Sequence, residues 1–357
     1  MANLYVDIHV LQTVPPSCVN RDDTGSPKTA VYGGVTRARV SSQCWKNAVR
    51  SMFRENLPKE EVGQRTKHIC RLVADEISRL GGTDASKKAE KILAAGKLKL
   101  KLKADKENAD EFLTSALYFI SDAQIKAIAK LALENPSAKT ADVQKVMNAE
   151  PSIDIALFGR MVADDPSLNT DASCQVAHSI STHKVSNEYD YFTAQDDCSP
   201  ADNAGAGMIG TVEYNSSTLY RYATVAVHAL HANLKDDTAK AVRTFVDAFI
   251  RSMPTGKLNT FANRTVPDAV MVTIRTDQPV NLVGAFETPV KSSDNGYITE
   301  SCNKLASHAK DTYDKWLDAP ICCYVISNND ALNSLGNAVS LKEMLNHIEN
   351  ELNSHLS

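Results

Sequence analysis

The chain has no CxxC pair: its eight cysteines, at positions 18, 44, 70, 174, 198, 302, 322 and 323, are scattered. That usage argues against a disulfide framework or a ribbon-type zinc site and fits reduced intracellular thiols. Cys174, His178 and His183 would place metal ligands at mixed angles and leave the fourth unnamed, so no metal and no other cofactor is expected. Apolar runs long enough to span a bilayer are lacking too. The N-terminal MANLYVDIHVLQTV carries Asp7 inside its apolar part and has no basic lead, which fits a strand better than a signal peptide and leaves a cytoplasmic protein with no membrane partner as the expectation. Overall positive charge is also missing, with a formal net charge of −4 and a pI of about 6.2. A protein that coats nucleic acid nonspecifically is thereby disfavoured, and any polyanion site must be a local concentration of Lys and Arg.

What is present is an ordinary globular composition, 43% hydrophobic and 23% charged over 357 residues. LYVDIHVLQ alternates Leu4, Val6, Ile8 and Val10 with Asp7 and His9, the period of a half-buried strand. A long Pro, Asp, Gly and Ser-rich segment follows from Thr13 to Gly34, too long for an idle connection. VTRARV then reads as a strand, and Ser41 and Ser42 as N-caps of a helix whose Trp45, Ala48, Val49, Met52 and Phe53 form one apolar stripe. Residues 59 to about 150 are amphipathic and rich in Ala, Lys and Glu, the pattern of an inserted helical subdomain; lysines 87, 88, 91, 97, 99, 101 and 103 there form either a phosphate-facing or a merely solvated face. From Tyr189 two extended arms flank the tip Asp202 to Gly207, as in a long projecting hairpin. Beyond it the pattern predicts helices near 238–252, 281–293 and 301–317, strands at 269–275 and 320–326, with Cys322 and Cys323 in the latter, and a terminal helix carrying Leu341, Met344, Leu345, Ile348 and Leu352. The fold class expected is α+β around a small antiparallel sheet.

TRARVSSQCWKNAVR, residues 36–50, carries four basic residues and no acidic one. In a strand Arg37 and Arg39 share a face. On the following helix Lys46, Arg50 and Arg54 are spaced by four residues, and Ser41, Ser42 and Gln43 sit where unpaired N–H groups favour an anion. Charges spread along two elements suit a run of phosphates better than one small anion. A solvated basic edge beside a core helix is the bland alternative. With all five cations from 36 to 54 engaged, the salt slope on a single strand would be roughly −3 to −4.

IHVLQTVPPSCVNRDD, the YGG turn, TRARVSSQCWKNAVR, IDIALFGRM (153–161), AHSISTHKV (177–185), DYFTAQDD (190–197) and LYRYA (219–223) occur in register along the chain. Together they resemble the CasC family, the repeating backbone subunits of type I-E CRISPR Cascade complexes. The resemblance implies an RRM-like (ferredoxin-like) palm at 1–58 and 221–357, helical fingers at 59–180 and a long β-hairpin thumb at 186–220. It also implies the partners: a CRISPR guide RNA, the target DNA strand paired to it, further copies arranged head to tail as a helical filament, and other Cascade subunits. Palm contacts to guide phosphate carry over to Arg21, Arg37, Arg39, Ser41, Gln43, Lys46 and Arg50; thumb contacts to Tyr191, Phe192 and Thr193; and a wedge beside a displaced base to Met161. Tyr191 stands where the family leads one to expect Trp. Aromatic faces stack on any base, and a thioether slides between bases with little shape demand.

No catalytic residue is expected. Asp22 and Asp23, in the long loop beside Arg21, keep a metal-dependent ribonuclease that cuts target RNA as the alternative, and related folds in type III CRISPR complexes use a loop aspartate this way. A freestanding single-stranded RNA-binding protein is the other.

Overall fold

The computed structural model describes residues 3–103, 111–162, 165–194 and 208–356. The expected hairpin tip, Asp202 to Gly207, lies outside them. The chain divides into two compact units, one made of Met1–Val49, Val176–Thr224 and Val242–Ser357, the other of Arg50–Gln175 and Val225–Ala241. The architecture is α+β, and among the described residues no helix is long and apolar enough to cross a membrane.

In the first unit the sheet runs in the spatial order Asn337–Ala338, Cys322–Ile326, Ala269–Arg275, Tyr5–Ser17, Met208–Ala226, Ser179–Ser181, Val35–Val40, Thr29–Tyr32. Its four inner strands, taken with the helices Ser42–Asn56 and Thr238–Arg251, give a βαββαβ succession in the order 4-1-3-2, the ferredoxin-like arrangement. The outer strands at either side extend it. Tyr5–Ser17 pairs antiparallel with Ala269–Arg275, Val6 opposite Ile274 and Val10 opposite Val270.

The first strand departs from the half-buried expectation, since Asp7 and His9 have no solvent exposure at all. The helix Ile298–Lys315 explains this. Its Cys302, Leu305, Ala306 and Ala309 pack with Leu11, Tyr220, Tyr222, Met271 and Val325 over the face that alternation had left polar. Burying Asp7 and His9 requires partners. The Tyr222 hydroxyl donates to Asp7 at 2.9 Å, the Val280 N–H donates to its other oxygen at 2.9 Å, and the Tyr220 hydroxyl lies 2.9 Å from His9 Nδ1. This face of the sheet is thus covered by the Ile298–Lys315 helix.

The second unit holds a core of Ile69, Val73, Ile77, Ile92, Leu93, Ile125, Ile128, Val143 and Met147 contributed by four helices. It is less purely helical than the composition suggests. KLKL ends in a strand, Leu100–Lys103, paired with Glu111–Thr114, and Gln64–Thr66 pairs with Tyr118–Ile120. Residues 225–241, read from the sequence as palm, fall in this unit. The helix expected over 281–293 is only the short turn Leu282–Phe286.

Candidate nucleic-acid interface

Val35–Val40 and Ser42–Asn56 form as the basic stretch predicts. Ser41 is the cap: its hydroxyl accepts the Cys44 N–H at 3.2 Å, and its own N–H donates to Asn20 Oδ1 at 2.9 Å. Trp45 anchors the helix, fully buried, its indole N–H donating to Ser179 Oγ at 2.8 Å and its ring lying 3.8 Å from the Arg221 guanidinium. Arg221, from LYRYA, donates to Gln12 Oε1 at 2.6 Å and to the Phe249 carbonyl. Its burial depresses the pKa to about 9.

The expected rail of outward cations needs correction at two positions. Arg37 is fully buried. Its guanidinium donates to the carbonyls of Tyr32 at 3.1 Å, Ser181 at 2.9 Å, Phe286 at 2.7 Å and Glu287 at 3.3 Å. The backbone at Glu287 can approach because Gly33, at φ +58°, carries no Cβ; one built there would fall 1.7 Å from the Glu287 carbonyl oxygen. Arg50 is buried as well, its Nε 3.0 Å from Asp154 Oδ2. The other Asp154 oxygen accepts the Gly63 N–H at 2.8 Å and the Ser152 hydroxyl at 2.7 Å. Both arginines are therefore spent on protein groups.

Arg39, on the same strand face as Arg37, lies beyond that cover and is half-exposed. Its Nε donates to the Thr29 carbonyl at 3.2 Å, and its Nη1 lies 3.4 Å from His178 Nδ1. The Ser42 N–H donates to the same imidazole nitrogen at 3.3 Å, which identifies that nitrogen as an unprotonated acceptor. Partial burial, then Arg39 and Lys28, hold the His178 pKa below its ordinary value. The sequence reading left out Lys28 and weighed His178 only as a metal ligand, because only folding brings them beside Arg39. Arg21 and Gln43 are exposed and Lys46 is half-buried. Arg21 sits in an isolated bridge with Pro27. Asp22 holds that loop: its Oδ1 accepts the Thr24 N–H at 2.9 Å, the Thr24 hydroxyl at 2.7 Å and the Ser26 N–H at 3.0 Å. The Thr24 hydroxyl bond is the main cause of its lowered pKa.

Two further candidates are Met161, in the second unit, and the hairpin, in the first. Met161 is 82% exposed at the end of a turn fixed by its neighbour. Arg160 is buried and donates to the carbonyls of Leu168 at 2.9 Å, Phe119 at 3.2 Å and Met147 at 3.0 Å, and to Asn148 Oδ1 at 2.8 Å. An exposed thioether on so rigid a mount is not core packing. The strand Glu188–Ala194 is exposed at every residue and pairs with Met208–Tyr214, Tyr191 opposite Thr211 and Phe192 opposite Gly210. Alternation puts Tyr191 and Thr193 on one face of this hairpin and Phe192 on the other, so the three do not form one patch. Phe192 leans across the ladder, its ring filling the space a Gly210 side chain would need.

The first unit thus combines a ferredoxin-like core, a two-stranded arm and a cationic strip at a helix start, an α+β architecture shared with known proteins. The CT1975-like protein family model matches residues 6–351, and the chain belongs to that family. A solved chain described as "CRISPR RNA-guided surveillance complex, pre-nicking" is 33% identical, with 96% of this chain and 100% of that chain covered and a TM-score of 0.82. Another, "CRISPR RNA-guided surveillance complex", is 29% identical over 96% of this chain and 99% of that one, with a TM-score of 0.71. No curated protein matches the chain.

Proposed function

We propose that this chain is a non-catalytic RNA-guided scaffold, the repeating backbone subunit of a type I-E CRISPR Cascade complex in the cytoplasm. It binds the guide RNA along its phosphates and presents it for pairing with a target DNA strand in antiviral defence. The observation that carries this reading is the end-to-end likeness to a chain of an RNA-guided surveillance complex, at a TM-score of 0.82 with both chains covered almost entirely. A guide carrier must be blind to sequence, which backbone contacts and stacking satisfy. Arg21, Arg39, Gln43 and Lys46 supply the phosphate contacts in this reading, Met161 and Tyr191 the contacts to bases, and Arg37 and Arg50 the support beneath. With Arg37 and Arg50 withdrawn, three of the five cations from 36 to 54 are left, and their salt slope falls to roughly −2. Arg39→Ala is expected to weaken RNA binding equally across guide sequences and to flatten that slope by roughly 0.7, measured by fluorescence anisotropy between low and moderate salt. Loss confined to particular sequences would indicate base readout.

The decisive experiment is co-expression of the chain with a CRISPR array, followed by mass measurement of what co-purifies. Multiple copies on RNA of one defined length are expected. Monomers carrying arbitrary RNA would favour a freestanding RNA-binding protein. Mg²⁺-dependent cleavage of complementary RNA, lost on Asp22→Ala or Asp23→Ala, would favour the ribonuclease reading, against which stands the commitment of Asp22 to its turn.

A further inference from the structure

The chain has two tryptophans. Trp45 is fully buried, whereas Trp316 is 82% exposed. Trp316 directly follows the helix Ile298–Lys315 and edges an open cleft of about 460 Å³, lined also by Asp277, Gln278, Asp314, Leu317 and Asp318. One buried arginine fixes parts of this lining that are far apart in the chain. Arg275, 1% exposed, donates through Nε and Nη2 to the Asp277 carboxylate, each at 2.7 Å, and through Nη2 to the Asp318 carbonyl at 3.0 Å. Its guanidinium lies 5.1 Å from the centre of the Tyr313 ring. The cleft is therefore preorganised rather than assembled by its ligand.

Its charge is one-sided. Asp311, Asp314 and Asp318 lie in or just beyond the last turn of the helix, where the dipole favours cations and carboxylates oppose it. Lys315, also in the lining, is bonded to Asp311 at 3.0 Å, and Asp277 is held by Arg275. Asp314 and Asp318, both exposed, make no ion pair among the described residues. We propose that this cleft takes an arginine from a basic segment of a different protein, a site independent of the guide-RNA reading. A guanidinium is planar and weakly hydrated, so it stacks on an indole face while its N–H fork serves carboxylates; an ammonium offers no such face. The indole supplies the contact area and the carboxylates steer the encounter. Nucleic acid is the wrong sign for such a rim. Most of this chain's own arginines are buried or paired with its own carboxylates, Arg79, Arg243 and Arg251 among the latter, which makes a different protein the fitting source.

The cleft carries its own reporter, because Trp45 is in the core and a signal from Trp316 disappears in Trp316→Phe. The probe is an acetylated, amidated peptide of alternating arginine and glycine, added to the full chain without RNA; the control is the same peptide with citrulline, the neutral isostere, in place of arginine. Saturable, salt-sensitive quenching of the tryptophan emission is expected, weakened about tenfold or more by citrulline or by Asp314→Asn with Asp318→Asn. The double variant removes charge that opposes the helix dipole, so it is expected to unfold in urea no earlier than the unmodified chain, and it is expected to bind oligouridine as before. Emission unmoved by the arginine peptide would overturn the inference, as would citrulline peptide bound equally well or an unchanged affinity in the double variant. Self-association of the unmodified chain that the double variant abolishes would assign the cleft to a second copy and overturn it too. Failure of the unmodified chain to bind oligouridine overturns the guide-RNA reading alone and leaves the peptide result to stand by itself.

Discussion

Arg37→Ala is expected to destabilise the protein by about 3 kcal/mol or more while leaving the RNA affinity of the folded fraction unchanged. The carbonyls of Ser181 and Phe286 lose a buried donor and those of Tyr32 and Glu287 a part-buried one; each buried acceptor left without a partner costs about 1–3 kcal/mol, less whatever local relaxation recovers. A lysine does not substitute, because three donors on a flexible stem cannot reproduce a planar fork bridging a turn, a neighbouring strand and the 286–287 segment. Arg37→Lys should therefore also destabilise, by a smaller amount. Urea denaturation reads the loss, and anisotropy on samples corrected for folded fraction reads the affinity. The control is Arg39→Ala, expected to show the reverse split: near-normal stability and weakened RNA binding. An Arg37→Ala protein of native stability with poor RNA binding would return this residue to the polyanion surface.

That contrast shows how far the sequence could be read. Strand periodicity correctly placed Arg37 and Arg39 on one face and Trp45 on the core side of the helix, because both follow from local geometry. Which arginine is covered depends on the 286–287 segment, about 250 residues away in the chain, and no local pattern carries that information. Asp154 likewise captures Arg50 from a separate helix. The motifs IDIALFGRM and LYRYA point to the family because they encode such contacts: Asp154, Arg160 and Arg221 are buried framework, and only Met161 among them projects. The α+β class was legible, and the ferredoxin-like core came through the family resemblance, whereas the extra cover over Asp7 and His9 was not legible, since alternation reports one apolar face and is silent on what a distant helix does to the other.

That cover sets up the second large effect, on pH dependence. Burial, with a smaller contribution from Arg275, holds the His9 pKa down from 6.5 to about 3, so as pH falls below 6.5 the unfolded chain takes up a proton that the folded chain refuses. Stability from this group is complete above 6.5 and is lost on acidification. Asp7 acts in the opposite sense. Burial raises its pKa from 3.8 to about 6 despite hydrogen bonds from Thr224, Val280 and Tyr222, so its contribution is present below 3.8 and is lost as pH rises through 6. Between about pH 4 and 6 the two slopes oppose one another. His9→Phe removes one of them while filling the same space among Tyr220 and Tyr222, against which the imidazole packs with ring centroids at 6.2 and 5.2 Å. The stability of the variant minus that of the unmodified chain is then expected to grow on acidification, by roughly 3 kcal/mol between pH 6.5 and 4. Taking the difference cancels the carboxylates common to both proteins. Urea titrations of the two proteins at matched pH values give the difference directly, and parallel curves across this window would mean that His9 is charged in the folded protein, with water or a carboxylate reaching it from the sheet face that Ile298–Lys315 covers.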